Sequence, residues 1–249
     1  MTLAPSRQVD RSAQGPRLQR VLPITSPIFI AAEQLQGPLQ WETVFGRQAP
    51  LALEIGCGTG HFILARARQQ PEVDFLAIDI YNKGCLKTCR KLDSAGIGNV
   101  RVARIEAREL LFRAIPAAGL QAIYINCPDP WPKLRHRDRR LVNRQFLELA
   151  LHRLAPHGEL YFSSDQRDYA EQVAATLAGV PALQSQLAAP FVEALPGYPL
   201  SKYMRRFLDQ GLPIHFLHCR RDPAVMLPPL ASPNLQSGFR TRRPGRNHD

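Results

Sequence analysis

The sequence is short of several features, and each shortage closes a class of protein. No apolar run approaches the roughly 20 residues that span a bilayer, and the opening MTLAPSRQVDRSAQG lacks the apolar core of a secretory signal. A membrane or exported protein is therefore not expected. The five cysteines, Cys57, Cys85, Cys89, Cys127 and Cys219, are odd in number and include no C-x-x-C pair. Neither a disulfide framework nor a zinc ribbon follows from that, no metal is expected, and a reducing, cytoplasmic setting fits. Acids are scarce too: 21 Asp and Glu face 32 Lys and Arg, a formal net charge of +11. Such a field attracts polyanions, and nucleic acid and anionic membrane are the two physical candidates. What is plentiful is core material. At 249 residues and 45% hydrophobic, the chain is too apolar to be disordered throughout and long enough for one large domain with ragged ends or two small ones.

Residues 1–40 mix Pro, Gln and Ser with Arg7, Arg11, Arg17 and Arg20, and read as a basic, mostly irregular arm. From residue 219 the composition shifts to repeated prolines, with Arg220, Arg221, Arg240, Arg242, Arg243 and Arg246 opposed only by Asp222 and Asp249. That reads as a basic tail, 219–249. Residues 41–218 alternate. The runs 51–55 (LALEI), 75–80 (FLAIDI), 100–105 (VRVARI), 122–126 (AIYIN) and 159–163 (ELYFS) read as strands. Between and after them, 61–69, 82–94, 107–114, 141–154 and 168–178 carry apolar residues three and four apart and read as helices. Cys85 and Cys89 share the apolar side of the second helix with Leu92 and read as core thiols. Five alternations predict an α/β fold, a doubly wound, mostly parallel sheet with helices on both faces and its ligand at the C-terminal ends of the strands.

The first strand runs into its helix through Glu54-Ile55-Gly56-Cys57-Gly58-Thr59-Gly60. Glycines here let a ligand approach the backbone where a Cβ would collide. The spacing is G-x-G-x-G, one residue tighter than a dinucleotide-binding turn. Glu54 would repel a pyrophosphate, but it suits a ligand that carries ammonium and sulfonium charges. Asp79 ends the second strand 23 residues after Gly56, where a carboxylate can accept both ribose hydroxyls. A structural turn followed by a surface acid is the plain alternative. In this order, strand, glycines, helix and acid resemble the class I S-adenosylmethionine-dependent methyltransferases. That resemblance implies a Rossmann-like fold, S-adenosyl-L-methionine as methyl donor, and Glu106 beside its adenine.

The most informative stretch is 125–140 (INCPDPWPKLRHRDRR). Pro128, Pro130 and Pro132 stiffen a loop at a strand C-terminus and hold Asp129 and Trp131 in few conformations. Immediately after, Lys133, Arg135, Arg137, Arg139, Arg140 and Arg144 oppose one acid, Asp138, a cluster suited to phosphate contacts. A lipid-binding helix would interleave large apolar residues, and only Leu134 and Leu141 do so. A solvated basic face is the plain alternative.

Together, 53–62 (LEIGCGTGHF), 128–140 (PDPWPKLRHRDRR), Phe146-Leu-Glu-Leu, Ser164-Asp165 with Asp168-Tyr169-Ala170-Glu171, and 201–208 (SKYMRRFL) resemble the tRNA (guanine-N7)-methyltransferases. These methylate guanine 46 in the variable loop of tRNA, and the resemblance covers about residues 41–217. It implies that Glu54, Gly56, Gly58, Gly60, Asp79, Glu106 and Asp129 form the donor site, with Asp129 at the catalytic position. By the same resemblance Lys133, Asp165, Ser201, Lys202 and Met204 meet the tRNA, and the charge cluster adds Arg135, Arg139 and Arg140 as its phosphate contacts. Monomer and homodimer both stay open.

Three departures stand out. Ser164-Asp165-Gln166 replaces the usual Thr-Asp-Trp, Cys127 replaces a usual aromatic, and Ser201 with Met204 replaces a Thr followed three residues later by Glu. The last removes a carboxylate expected to grip guanine, so affinity or base choice changes unless a neighbour such as Glu193 substitutes. An RNA-binding relative without catalysis is the competing reading, and the retained Glu54, glycines, Asp79 and Asp129 weigh against it. A small-molecule methyltransferase would leave the arginine cluster unexplained.

Overall fold

The computed structural model describes residues 21–230 and 232. The arginines of the arm up to Arg20 and those of the tail from Arg240 lie outside the described residues. Eight strands form one sheet: β1 (Phe29–Ile30), β2 (Leu51–Ile55), β3 (Asp74–Asp79), β4 (Val100–Arg104), β5 (Leu120–Asn126), β6 (Leu154–Ser164), β7 (Leu183–Ser185) and β8 (His215–Arg221). Their spatial order is β1-β4-β3-β2-β5-β6-β8-β7. Every pairing from β1 to β6 is parallel, and β8 enters antiparallel to both β6 and β7. The chain leaves β2 towards β3 on one side and later returns to β5 on the other. That reversal opens a crevice beyond the strand ends, where sheets of this kind bind ligands.

Side-chain alternation builds a core on each face. Leu51, Leu53, Ile55, Leu76, Ile78, Ile123 and Ile125 point to one face, covered by α1 (Trp41–Phe45), α4 (Ala107–Arg113), α5 (Arg144–Arg153) and α6 (Arg167–Ala178). Ala52, Phe75, Ala77, Ala122 and Tyr124 point to the other, under α2 (His61–Gln69), α3 (Asn82–Ser94) and α7 (Lys202–Asp209). Cys85 and Cys89 are fully buried there with Leu92.

The five strands and five helices read from periodicity are present. The α5 helix starts at Arg144 rather than 141, because Asn143 caps it by accepting a bond from the Phe146 N–H at 3.0 Å. Sheet structure extends beyond both expected edges. The arm expected to run to residue 40 supplies β1, which pairs with β4, and Leu22 exchanges backbone hydrogen bonds with the Asn82 side chain at 2.7 and 3.0 Å. The tail expected from residue 219 begins inside β8, where Cys219 is buried and Arg220 pairs with Glu159 at 2.9 Å.

The Tyr169 hydroxyl on α6 accepts the buried Val142 N–H at 3.0 Å and so fixes the chain's entry into α5. Tyr169→Phe should leave that N–H unpaired and lower stability by about 1–3 kcal/mol. Urea unfolding followed by circular dichroism reads the change; an unaltered midpoint would show that the bond contributes nothing.

Candidate active site

A cavity of about 570 Å³ opens over the crevice between β2 and β5. The turn after β2 forms one wall. Gly56 and Gly58 sit at φ +81° and +55°, which side chains rarely adopt. Their neighbours fix the turn: the Gly56 and Cys57 N–H groups donate to the Ile78 carbonyl at 2.8 and 2.9 Å, and the Gly58 N–H donates to Asp79 Oδ2 at 2.8 Å. Across from it, α3 closes in. A Cβ on Gly84 would lie 2.8 Å from the Gly58 carbonyl, and Thr88 donates to that carbonyl at 3.2 Å. Gly60 answers to the same packing: its Cβ would meet Thr88 at 2.9 Å, and it does not line the cavity. Its glycine serves helix approach rather than a ligand.

Asp79 lies at the cavity wall, with Oδ1 accepting from the Tyr81 N–H at 2.9 Å. Burial raises its carboxyl above the usual range against the pull of the Tyr81, Gly58 and Ile80 backbone, and the charge of Asp129 adds to the rise. Glu54 stands behind the wall, 1% exposed. Burial pushes its carboxyl up to about 8, with the Asn126 side chain opposing and Asp79 adding to the rise. Glu54 Oε2 and Asn126 Nδ2 are buried without a hydrogen-bond partner. Glu106 lines the far end, where it caps α4 by accepting from the Arg108 and Glu109 N–H groups at 2.8 and 3.1 Å and pairs with the Arg108 guanidinium at 3.1 Å.

The loop after β5 forms the other wall with Cys127, Pro128, Asp129, Pro130 and Trp131. Cys127 and Trp131 are left-handed at φ +46° and +42°, conformations a non-glycine residue keeps only where its surroundings impose them. The Cys127 N–H donates to the Ser163 carbonyl at 3.0 Å, and burial first, then the Asp165 charge, push its thiol up to about 12. That disfavours the nucleophilic thiolate. Asp165 also lines the cavity, held by the Gln166 side chain at 2.7 Å. It does not cap α6, whose N-cap is Gln166.

The structure divides the expected tRNA contacts. Arg139 lies 5.0 Å over the Trp131 ring at the cavity edge, and Lys133 and Arg135 are exposed nearby. Arg140 is corrected: it is fully buried. Its guanidinium donates to the Pro130 carbonyl at 2.8 Å, to Gln172 at 2.7 Å and to Asp168 at 2.6 Å, and it lies 4.5 Å over Tyr169. Arg140 thus ties the Asp129 loop to α6 and, fully buried, is not presented to a phosphate. Met204 is corrected too. Ser-x-x-Met occupies the pattern of a helix capping box: Ser201 Oγ accepts the Met204 N–H at 3.2 Å, and Met204 Sδ accepts the Ser201 N–H at 3.3 Å. Its side chain is buried among apolar residues and does not line the cavity. Glu193 lies 4.0 Å from His215 outside the cavity, so it does not substitute there. Lys202 lines a separate cleft. Periodicity alone did not reveal Tyr81, Lys83, Lys87, Tyr203 and Phe207, which also line the cavity; the last two stand four apart on one face of α7.

A family model described as a putative methyltransferase matches residues 48–217. The tRNA (guanine-N(7)-)-methyltransferase of Syntrophotalea carbinolica is 52% identical over 223 residues, which cover 90% of this chain and 96% of that one. The chain belongs to the tRNA (guanine-N7)-methyltransferase family. Its relative of the same description from Geobacter metallireducens is 49% identical over 205 residues, 82% of this chain and 97% of the other. Among solved structures, the 16S rRNA methyltransferase KamB matches with a TM-score of 0.56 at 16% identity, covering 74% of this chain and 93% of that one. An antibiotic-related methyltransferase matches with a TM-score of 0.53 at 19% identity, covering 74% and 92%. These two show the fold alone, Rossmann-like. The lining fits the methyl donor, S-adenosyl-L-methionine. Ile78, Ile105 and Ala107 give an apolar end, Asp79 keeps lone pairs for hydroxyls, and the unpartnered Glu54 and Asn126 atoms match an ammonium and a carboxylate.

Two predictions follow from this geometry. Glu54 is protonated in both folded and unfolded chains below pH 4.5; between 4.5 and about 8 only the unfolded chain ionises, so its burial lowers stability as pH rises through that window. The melting temperature of Glu54→Gln should therefore gain on wild type from pH 4.5 to about 8, and parallel curves would clear Glu54 of that role. Arg140→Ala should lower stability by about 2 kcal/mol or more, yet leave the salt dependence of tRNA binding unchanged. A flattened salt slope would return Arg140 to the RNA surface.

Proposed function

We propose that this chain transfers a methyl group from S-adenosyl-L-methionine to N7 of a guanine in tRNA, the variable-loop guanine 46. The observation that carries the reading is the placement of Asp79 and Asp129 on facing walls of one cavity, each on its own rigid turn. The donor supplies an electrophilic methyl group on a sulfonium. Guanine N7 has a lone pair and no proton, so the protein needs no general base at that atom, only alignment. Asp129 and Asp165 can accept hydrogen bonds from the N1 and N2 edge of a splayed-out guanine, with Trp131 and Tyr203 as aromatic surfaces for its ring. Lys133, Arg135 and Arg139 flank the mouth as phosphate partners. Among the described residues no helix is long and apolar enough to cross a membrane.

Asp129→Ala should reduce transfer by about 100-fold, the scale of lost alignment, while tRNA affinity stays within about 3-fold because phosphate contacts dominate it. The measurement is single-turnover methylation of an unmodified tRNA transcript, followed by mapping of the modified base. An undiminished rate in the variant, or a wild-type product other than N7-methylguanine, overturns the assignment.

A further inference from the structure

The basic run after β5 offers an RNA less free charge than its composition suggests. Arg137 and Arg140 both pair with Asp168, at 2.8 and 2.6 Å. Arg144 is committed to Glu148 at 2.6 Å and to the Gly179 carbonyl at 2.7 Å. A second concentration of positive charge stands elsewhere. A cleft of about 360 Å³ lies between the start of α2 and α7, lined by His61, Lys202, Arg205, Arg206, Asp209 and Gln210. Asp209 is the one acid among the described residues that line it.

Three features make this more than a solvated face. Lys202, Arg205, Arg206 and Asp209 follow the i, i+3, i+4, i+7 spacing of a single helix face, while Tyr203 and Phe207 of the same helix line the donor cavity. One helix therefore serves both depressions. Lys91 of α3 adds a further cation, its Nζ 3.3 Å from His61 Nε2. An ammonium only donates, so Nε2 accepts, and the ring proton sits on Nδ1, which donates to Thr59 Oγ1 at 3.0 Å. His61 is thus neutral and links the cleft to the glycine turn. Burial first, then the charges of Lys91, Arg205 and Lys202, hold its imidazole below the ordinary range.

We infer that this cleft is a second contact for the tRNA, a site for a backbone phosphodiester held by Lys202, Arg205 and Arg206 above Lys91. The inference rests on the reading of the protein as a tRNA methyltransferase. An RNA whose guanine enters the cavity beside Tyr203 and Phe207 meets α7, and the adjoining face of the same turn presents Arg205 and Arg206. Anionic lipid shares the phosphate chemistry, but the cleft lining contains no large apolar residue to enter a bilayer.

The test compares wild type, the double variant Arg205→Ala/Arg206→Ala and the charge-retaining Arg205→Lys/Arg206→Lys, with unmodified tRNA transcript across a salt series. The alanine pair should weaken binding by about 10-fold and flatten the slope of log affinity against log salt by about two. The lysine pair should keep the slope, and S-adenosyl-L-methionine affinity by calorimetry should match wild type in both. Wild type that methylates tRNA, with an alanine pair of unchanged affinity and slope, overturns the cleft and spares the function. Wild type that neither binds nor methylates tRNA overturns both. Vesicles of phosphatidylglycerol that bind wild type but not the alanine pair, with tRNA binding equal in the two, would assign the surface to lipid and overturn the inference.

Discussion

The Asp79 carboxylate joins three pieces of backbone that would otherwise be independent. Oδ2 accepts the Gly58 N–H of the turn after β2, and Oδ1 accepts the Tyr81 N–H that leads into α3. The carbonyl of Ile78 receives the two N–H groups that precede them in the turn. The glycine turn therefore cannot shift without moving the end of β3, and α3 presses on it through Gly84 and Thr88. A carboxylate has about four acceptor positions, so two bonds to backbone leave capacity for a ligand. The acid that holds the cradle is thereby already oriented towards what the cradle receives, which keeps the ordering cost of binding low.

The opposite wall depends on different supports. Its backbone turns left-handed at Cys127 and Trp131, and such conformations persist in non-glycine residues when the surroundings over-determine them. Here β6 supplies the Ser163 carbonyl at one end, and α6 supplies Asp168 and Gln172 through Arg140 at the other. Arg140 reaches the Pro130 carbonyl, one residue beyond Asp129. The position of the carboxylate proposed to hold guanine is thus set from α6, on the far face of the sheet. Donor and acceptor walls hang from separate halves of a doubly wound sheet, and the crevice between β2 and β5 brings them together.

Much of this was readable from residue order, for identifiable reasons. The central strands are buried on both faces and read as short apolar runs, and the helices between them carry the 3.6 period, so the alternation of elements is clear in 51–126. The edges were harder. β1 is two residues long, and β8 carries Arg220 and Arg221 at its end, so charge hid a strand whose first half is buried. At the site, the glycines and Asp79 could be placed because a strand–turn–helix fixes them locally. Whether an arginine is free or internally paired is a long-range matter: Arg140 and Arg139 are neighbours in the chain, but one lies in the core against residues of α6 and the other at the cavity mouth. Met204 escaped for a related reason. A missing Glu suggests a lost ligand contact, yet the third residue after an N-cap Ser also answers to the helix start, and there a thioether turned towards the core suffices.

The charge distribution of the cavity favours one direction of exchange. Asp79, Glu106, Asp129 and Asp165 line it and Glu54 lies just behind, and their mutual repulsion is visible where the charge of Asp129 raises Asp79 and that of Asp79 raises Glu54. A ligand with two positive charges relieves that repulsion, whereas one that has lost its sulfonium charge on methyl transfer relieves less of it. The carboxylates proposed to hold the donor would thus hold the demethylated product less tightly, without any group having to move. Guanine gains positive charge at the purine as N7 is alkylated, so in the proposed arrangement Asp129 and Asp165 at the mouth would stabilise the methylated ring better than the unmethylated one. Part of that interaction already develops in the transition state, where it accelerates the step. In that arrangement the acids on both walls would act through their charge alone, and no catalytic base is called for.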